Sequence, residues 1–206
     1  MRIFIFFLLI FLYPYTSSAQ TGWQWGINST HGIIESWPIA TDLSGNIIGA
    51  GYFYTHSAGY DTAFFGSIPV NDSGGGRPLF IAKSDSLGNY QWVVSTYNGN
   101  CEVEPIKMVT DAAGNIYLLG MTVELSFYSQ FSIGSFTLTD TAGFAGQYFF
   151  LLKLSPTGAV LFAKKIAPGY SNFENGGIGV DDSGNVFVSE SIMSVTIHFA
   201  QYKLVR

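Results

Sequence analysis

Asp42-Leu43-Ser44-Gly45-Asn46 returns as Asp111-Ala112-Ala113-Gly114-Asn115 and again as Asp181-Asp182-Ser183-Gly184-Asn185, spaced by 69 and 70 residues. Repetition at a fixed long period means one supersecondary unit built several times and stacked on its copies, because a single unit cannot bury its apolar face alone. The pentapeptide also names its local structure. In Asp-x-x-Gly the carboxylate bonds forward to backbone N–H groups and the glycine takes the left-handed conformation. That is the type I turn with a G1 bulge of a short hairpin. Asp42, Asp111 and Asp181 are thus turn residues first, and Gly45, Gly114 and Gly184 are expected at positive φ.

Strand-like runs flank each copy. Trp37–Thr41, Ile106–Thr110 and Gly177–Val180 lead in; Ile47–Gly51, Ile116–Gly120 and Val186–Val188 lead out. Further along, Phe80-Ile81-Ala82-Lys83 matches Phe150-Leu151-Leu152-Lys153, Gly88 matches Gly158, and Trp92 matches Phe162. Gly66-Ser67 matches Gly134-Ser135 between those blocks. Each unit therefore has about four core strands and a decorated connection between its second and third. Units run roughly over 36–97, 105–166 and 175–206, and residues 20–30 hold an offset strand, since Trp23-Gln24-Trp25 matches Tyr90-Gln91-Trp92. Lys83, Lys153 and Lys203 recur on the third strand, where a strand-edge charge with a packed stem is expected.

This pattern predicts an all-β chain: a β-propeller segment of four-stranded antiparallel blades, about 70 residues per repeat, forming an incomplete ring. A β-helix has far shorter repeats. Two full units and a partial one fall below the roughly four to eight blades of a closed propeller. Further blades from a longer chain, or self-association, are expected, because an open strand edge invites pairing.

The N-terminus reads differently. Arg2 precedes an apolar run from Ile3 to Tyr13, and small residues follow at Ser17 and Ala19. This is the layout of a secretory signal peptide over 1–19, leaving 20–206 as the repeat domain. The apolar run is shorter than the ~18 residues of a membrane span, so no transmembrane segment is expected after cleavage. The predicted location is secreted or at the cell surface. A formal net charge of −5 gives no footprint for nucleic acid. Charged residues are 11% of the chain against about 25% in ordinary domains, while aromatics reach 17%. Such a chain is ordered and rich in turns. Cys101 is the single cysteine, so no internal disulfide forms, and a buried residue at a strand start is expected there.

The combined pattern D-x-x-G-N with its following strand, G-S-x-x-(L/V), and F-(I/L)-x-K followed by Gly and Trp or Phe resembles the secreted bacterial β-propeller repeat family abundant in Bacteroidetes. The resemblance covers nearly all of residues 20–206. It implies a secreted or surface-exposed propeller, often within a longer protein, and it implies neither an activity nor fixed catalytic residues.

One acidic position keeps the register. Glu35, Glu104 and Glu174 each lie seven residues before the turn aspartate. In a propeller the first strand of each blade lines the channel, so these carboxylates would form a ring near its mouth. Like charges raise one another's pKa unless donors or a cation compensate, and oxygen ligands suit calcium. Glu102, two residues before Glu104, shares its face. The alternative is that each glutamate only accepts backbone hydrogen bonds at a strand start. His31, His56 and His198 share no register, and no triad order, HExxH or phosphate loop is visible. No catalytic residue or cofactor is assigned. Trp37 is not repeated and could stack on a glycan. Asp61-Thr62-Ala63, Asp85-Ser86-Leu87 and Asp140-Thr141-Ala142 match a bacterial O-glycosylation triplet. The expected function is a non-catalytic binding or structural module with a protein or glycan ligand. A fragment of a secreted glycan-active hydrolase or lyase is the alternative.

Overall fold

The structure is a computed structural model. It describes residues 29–30, 33–54, 62–71, 77–97, 99–123, 129–140, 147–169, 177–189 and 199–202. The expected signal segment, the expected strand at Trp23–Ile27, the three histidines, Glu174 and Lys203 lie outside these residues.

Every described element is a strand and every pairing is antiparallel. A short strand, β1 (Ser29–Thr30), leads into β2 (Ile33–Thr41) and β3 (Ile47–Tyr54). A hairpin of β4 (Thr62–Phe65) and β5 (Ile68–Asn71) follows, then β6 (Leu79–Ser84) and β7 (Tyr90–Ser95). The plan repeats in β8 (Glu102–Thr110), β9 (Ile116–Val123), a hairpin of β10 (Ser129–Ile133) and β11 (Phe136–Asp140), β12 (Gln147–Leu154) and β13 (Val160–Gly169). The chain continues through β14 (Gly177–Val180), β15 (Val186–Ser189) and β16 (Phe199–Tyr202). The first sheet has the order β2-β3-β6-β7, the second β8-β9-β12-β13, and the third β14-β15-β16. No sheet closes on itself. The decorated connection is the inserted hairpin, and β1 adds to the edge of the first one. The third sheet also departs from the sequence register. Phe187 pairs with Gln201, whereas Ile48 pairs with Lys83 and Tyr117 with Lys153.

The turns form as their residues dictate. At Asp42 the backbone closes through Gly45 N–H to Asp42 O at 3.0 Å and Asp42 N–H to Asn46 O at 3.1 Å. The Asp42 carboxylate accepts from the N–H groups of Ser44 and Asn46 and from the Asn46 side-chain amide. Asp111 and Asp181 repeat these bonds, and Gly45, Gly114 and Gly184 all have φ of 77°. The same turn also joins the third and fourth strands, which the 70-residue register conceals. Asp85-Ser86-Leu87-Gly88-Asn89 links β6 to β7 with equivalent bonds. Ser155 takes the aspartate's place between β12 and β13, its hydroxyl accepting from the N–H groups of Thr157 and Ala159. The Asp85 triplet is thus first of all a turn.

Side chains alternate across each strand, so a strand covered on both faces reads as a continuous apolar run. All six residues of β6 are buried. One core lies between the first and second sheets, with Ile48, Leu79 and Ile81 against Met108, Leu118, Phe150 and Leu152. A second joins Tyr117, Leu119 and Leu151 to Val186 and Val188 of the third sheet. A third sets Phe53, Phe80 and Ala82 of the first sheet against Ala63, Phe65 and Val70 of the β4–β5 hairpin. Each large aliphatic or aromatic side chain so buried contributes roughly 1.5–3 kcal/mol. Cys101 is buried immediately before β8, as its sequence position suggested.

Candidate functional site

The first strands of the two four-stranded sheets carry matching irregularities. The pairing of β2 with β3 shifts between Ser36 and Ile39, and that of β8 with β9 between Pro105 and Lys107. Pro38 and Pro105 have no N–H to give a ladder, and a bulge is where a strand tolerates them. The strand before each bulge is re-aimed, and there stand Glu35 and Glu104.

Glu35 pairs across the ladder with Tyr52, whose hydroxyl donates to Glu35 Oε2 at 2.7 Å. The Trp37 ring meets Tyr52 edge-on at 5.4 Å between centroids and is 51% exposed. The Arg77 guanidinium lies over the same Tyr52 ring, 5.2 Å from its centroid. From there Arg77 Nε pairs with Glu102 Oε1 at 2.9 Å, and Nη1 reaches 3.9 Å from Glu104 Oε1. Arg77 is itself held at the junction of the sheets, because its carbonyl accepts from Val103 N–H at 3.1 Å. Burial pushes the Glu104 carboxyl above its ordinary range; the charges of Glu102 and Glu35 add to this and Arg77 opposes it. Glu102 and Glu104 thus share one guanidinium, Glu35 takes the hydroxyl of the tyrosine beneath it, and an exposed indole stands beside that tyrosine.

Two of the register glutamates, Glu35 and Glu104, come together at one end of adjoining sheets; Glu174 lies outside the described residues. Glu102 joins Glu104 on one side of β8, as strand alternation requires. Among the described residues, no three acidic, histidine or cysteine side chains are arranged to hold a metal ion. Register could not find Tyr52 and Arg77, because the corresponding positions in the second unit are Met121 and Gln147. Their signal is the departure from the repeat, the same signal that singled out Trp37.

The turn aspartates occupy the opposite end of the sheets, and there Lys83 corrects an expectation. It lies on an inner strand, 4% exposed, and not at a strand edge. Its Nζ pairs with Asp42 Oδ2 at 2.9 Å and donates to the Pro156 carbonyl of the second sheet at 3.2 Å. The Trp92 indole N–H donates to that same carbonyl at 3.1 Å, so Trp92 packs between the sheets. Burial pushes Asp42 up, but the bonds from Lys83 and Asn46 outweigh it and hold the carboxyl at about 2. Lys153 is placed differently, with its ammonium 5.0 Å from the centre of the Tyr117 ring. The Tyr117 hydroxyl donates to Asp111 at 3.0 Å, and its own pKa is raised by burial and by that carboxylate.

Comparison with protein-family models and with curated proteins returns no match.

Proposed function

We propose that this chain is an extracellular, non-catalytic binding module, a β-propeller segment of the secreted bacterial type it resembles, with a glycan as ligand. The arrangement of first strands supports the propeller. β2 and β8 run side by side, with Thr110 Oγ1 donating to Thr41 O at 2.8 Å, and β14 lies beside β8. Four-stranded antiparallel sheets that meet along their first strands and stack face to face make the blades of a propeller. The apolar start at 3–13 supports export.

The observation that carries the ligand is Trp37. An indole half exposed, braced by Tyr52, which in turn bonds Glu35 and carries the Arg77 guanidinium over its ring, offers a sugar a stacking face with charged groups one residue away. The test is a glycan array with the full chain. A bound glycan whose signal falls at least tenfold in Trp37→Ala, with circular dichroism unchanged, is expected. Failure of the wild type to bind any glycan sinks the reading.

One observation favours a hydrolase instead. Carboxylates from two sheets lie near one another, and one of them, Glu104, is held towards its protonated form. That is the acid component of glycoside hydrolysis. The same array scored for new reducing ends separates the readings. Turnover abolished in Glu104→Gln with binding retained would make the protein an enzyme. Calorimetry with calcium, on wild type and Glu104→Gln, tests whether the surplus negative charge takes a hard cation.

A further inference from the structure

Each outer face of the three-sheet stack exposes one apolar side chain at a register position that is buried between sheets elsewhere. Counted from the turn aspartates, Ile39, Met108 and Ile178 hold one register position on the first strands. Met108 is buried in the core between the first and second sheets, and Ile178 packs in the core between the second and third. Ile39 is 69% exposed. Through the pairings Ile39↔Gly49, Gly49↔Ala82 and Ala82↔Val93 it shares the side of the first sheet that faces away from the second. At the other end, Ile48, Tyr117 and Phe187 hold a second register position. Ile48 and Tyr117 are fully buried against the next sheet, whereas Phe187 is 44% exposed. Ile39 and Phe187 thus stand exposed on opposite ends of the stack, beside the β4–β5 hairpin on one side and between Gly179 and Gln201 on the other.

The lead-in strand points the same way. Thr30 pairs with Phe64 of the first inserted hairpin, and Tyr97 bridges to Ser132 of the second. The chain before Tyr97 is β7, the last strand of the neighbouring sheet. Thr30 holds the register of Tyr97, and the chain before Ser29 lies outside the described residues. Its sequence Trp23-Gln24-Trp25, outside the described residues, matches Tyr90-Gln91-Trp92 of β7. The third sheet has three strands among the described residues where the others have four.

We propose that a second copy of this chain covers both faces. The third sheet of each copy docks, through Phe187, on the first sheet of the other around Ile39. The contact is head to tail, so its two sides are different surfaces. Two copies of three sheets make six, within the roughly four to eight of a closed propeller. That closure rests on the propeller reading; the contact does not.

The test is the mass in solution of the full chain, by light scattering across a concentration series, with Ile39→Arg and Phe187→Arg alongside. A two-chain particle is expected for the wild type and single chains for each variant, with unchanged circular dichroism, because both side chains are exposed. Mixing the two variants should restore a two-chain species. Each supplies the intact surface that the other lacks. A wild type that stays a single chain overturns the proposal. So does a Phe187→Arg variant that still pairs, because the contact would then join like surfaces. Growth into an open series, halted by either variant, keeps the contact and sinks the closed ring, and with it the propeller reading.

Discussion

Lys83 and Lys153 stand at one register, on the third strands of successive sheets, yet they make different bonds. Lys83 is buried between the first and second sheets and pairs with Asp42; Lys153 lies over the ring of Tyr117. The residue opposite each lysine accounts for the difference. Lys83 pairs across the ladder with Ile48, which leaves room for the ammonium to reach the turn. Lys153 pairs with Tyr117, whose ring fills that space and whose hydroxyl takes Asp111 in the ammonium's place. A shared register sets the backbone, and one cross-strand neighbour then redirects the charge.

The largest expected effect tests that difference directly. Lys83→Met leaves a buried carboxylate and the Pro156 carbonyl without their cation, at a cost of about 3–5 kcal/mol. Lys153→Met removes a cation over a ring, at a cost of about 1 kcal/mol. Urea unfolding of both variants measures the gap. Equal losses would mean that the ion pair at Asp42 adds nothing over the ring contact.

Next come the glycines of the turns. Gly184 at φ 77° has nothing within 4 Å of an added Cβ, so Gly184→Ala carries only the left-handed penalty, about 1–2 kcal/mol. Gly158 at φ 86° would place its Cβ 2.8 Å from the Trp92 ring. Gly158→Ala adds overpacking between the sheets and should cost roughly 3 kcal/mol. Equal thermal shifts in the two variants would show that the ring moves aside freely.

The acid limb of stability sharpens the same comparison. Asp42 is lowered from 3.8 to about 2, so its contribution of about 2 kcal/mol is present above pH 3.8 and is lost as pH falls through about 2. In Lys83→Met that limb should move to higher pH. Unfolding midpoints measured between pH 5 and pH 2 would show it, and superimposable wild-type and variant curves would remove Lys83 as the cause.

Legibility followed the repeat. The turns, the four-strand plan and the place of a decorated connection were readable because Asp-x-x-Gly and the alternating apolar runs act locally; that the connection is a paired hairpin came only with the structure. The second set of turns was missed because a 70-residue comparison aligns Asp85 with Ser155, where only the hydroxyl or carboxylate oxygen is common. Of the glutamate end, Glu35 and Glu104 were legible by register. Tyr52 and Arg77 were not, since a contact between strand partners and across sheets leaves no trace in spacing.

The smallest expected effect lies at the glutamate end and has the opposite sign to that at Asp42. Burial first, then Glu102 and Glu35, raise the Glu104 carboxyl above its ordinary value of 4.5, against the pull of Arg77. A carboxyl raised on folding binds its proton more tightly in the folded state. Its ionised form is therefore a penalty, fully present above the folded pKa and relieved as pH falls through that value towards 4.5. Glu104→Gln removes the charge and keeps the shape, losing only the 3.9 Å approach of Arg77. The variant should gain stability at pH 7, within about 0.5 kcal/mol for a partly exposed site. The gain should narrow as pH falls to 4.5, where the wild-type carboxyl takes up its proton. Urea midpoints of both proteins at pH 7 and pH 4.5 read the difference. A gain that instead widens towards acid would mean that Arg77 outweighs burial and that Glu104 belongs with Asp42 as a carboxylate stabilised in its charged form.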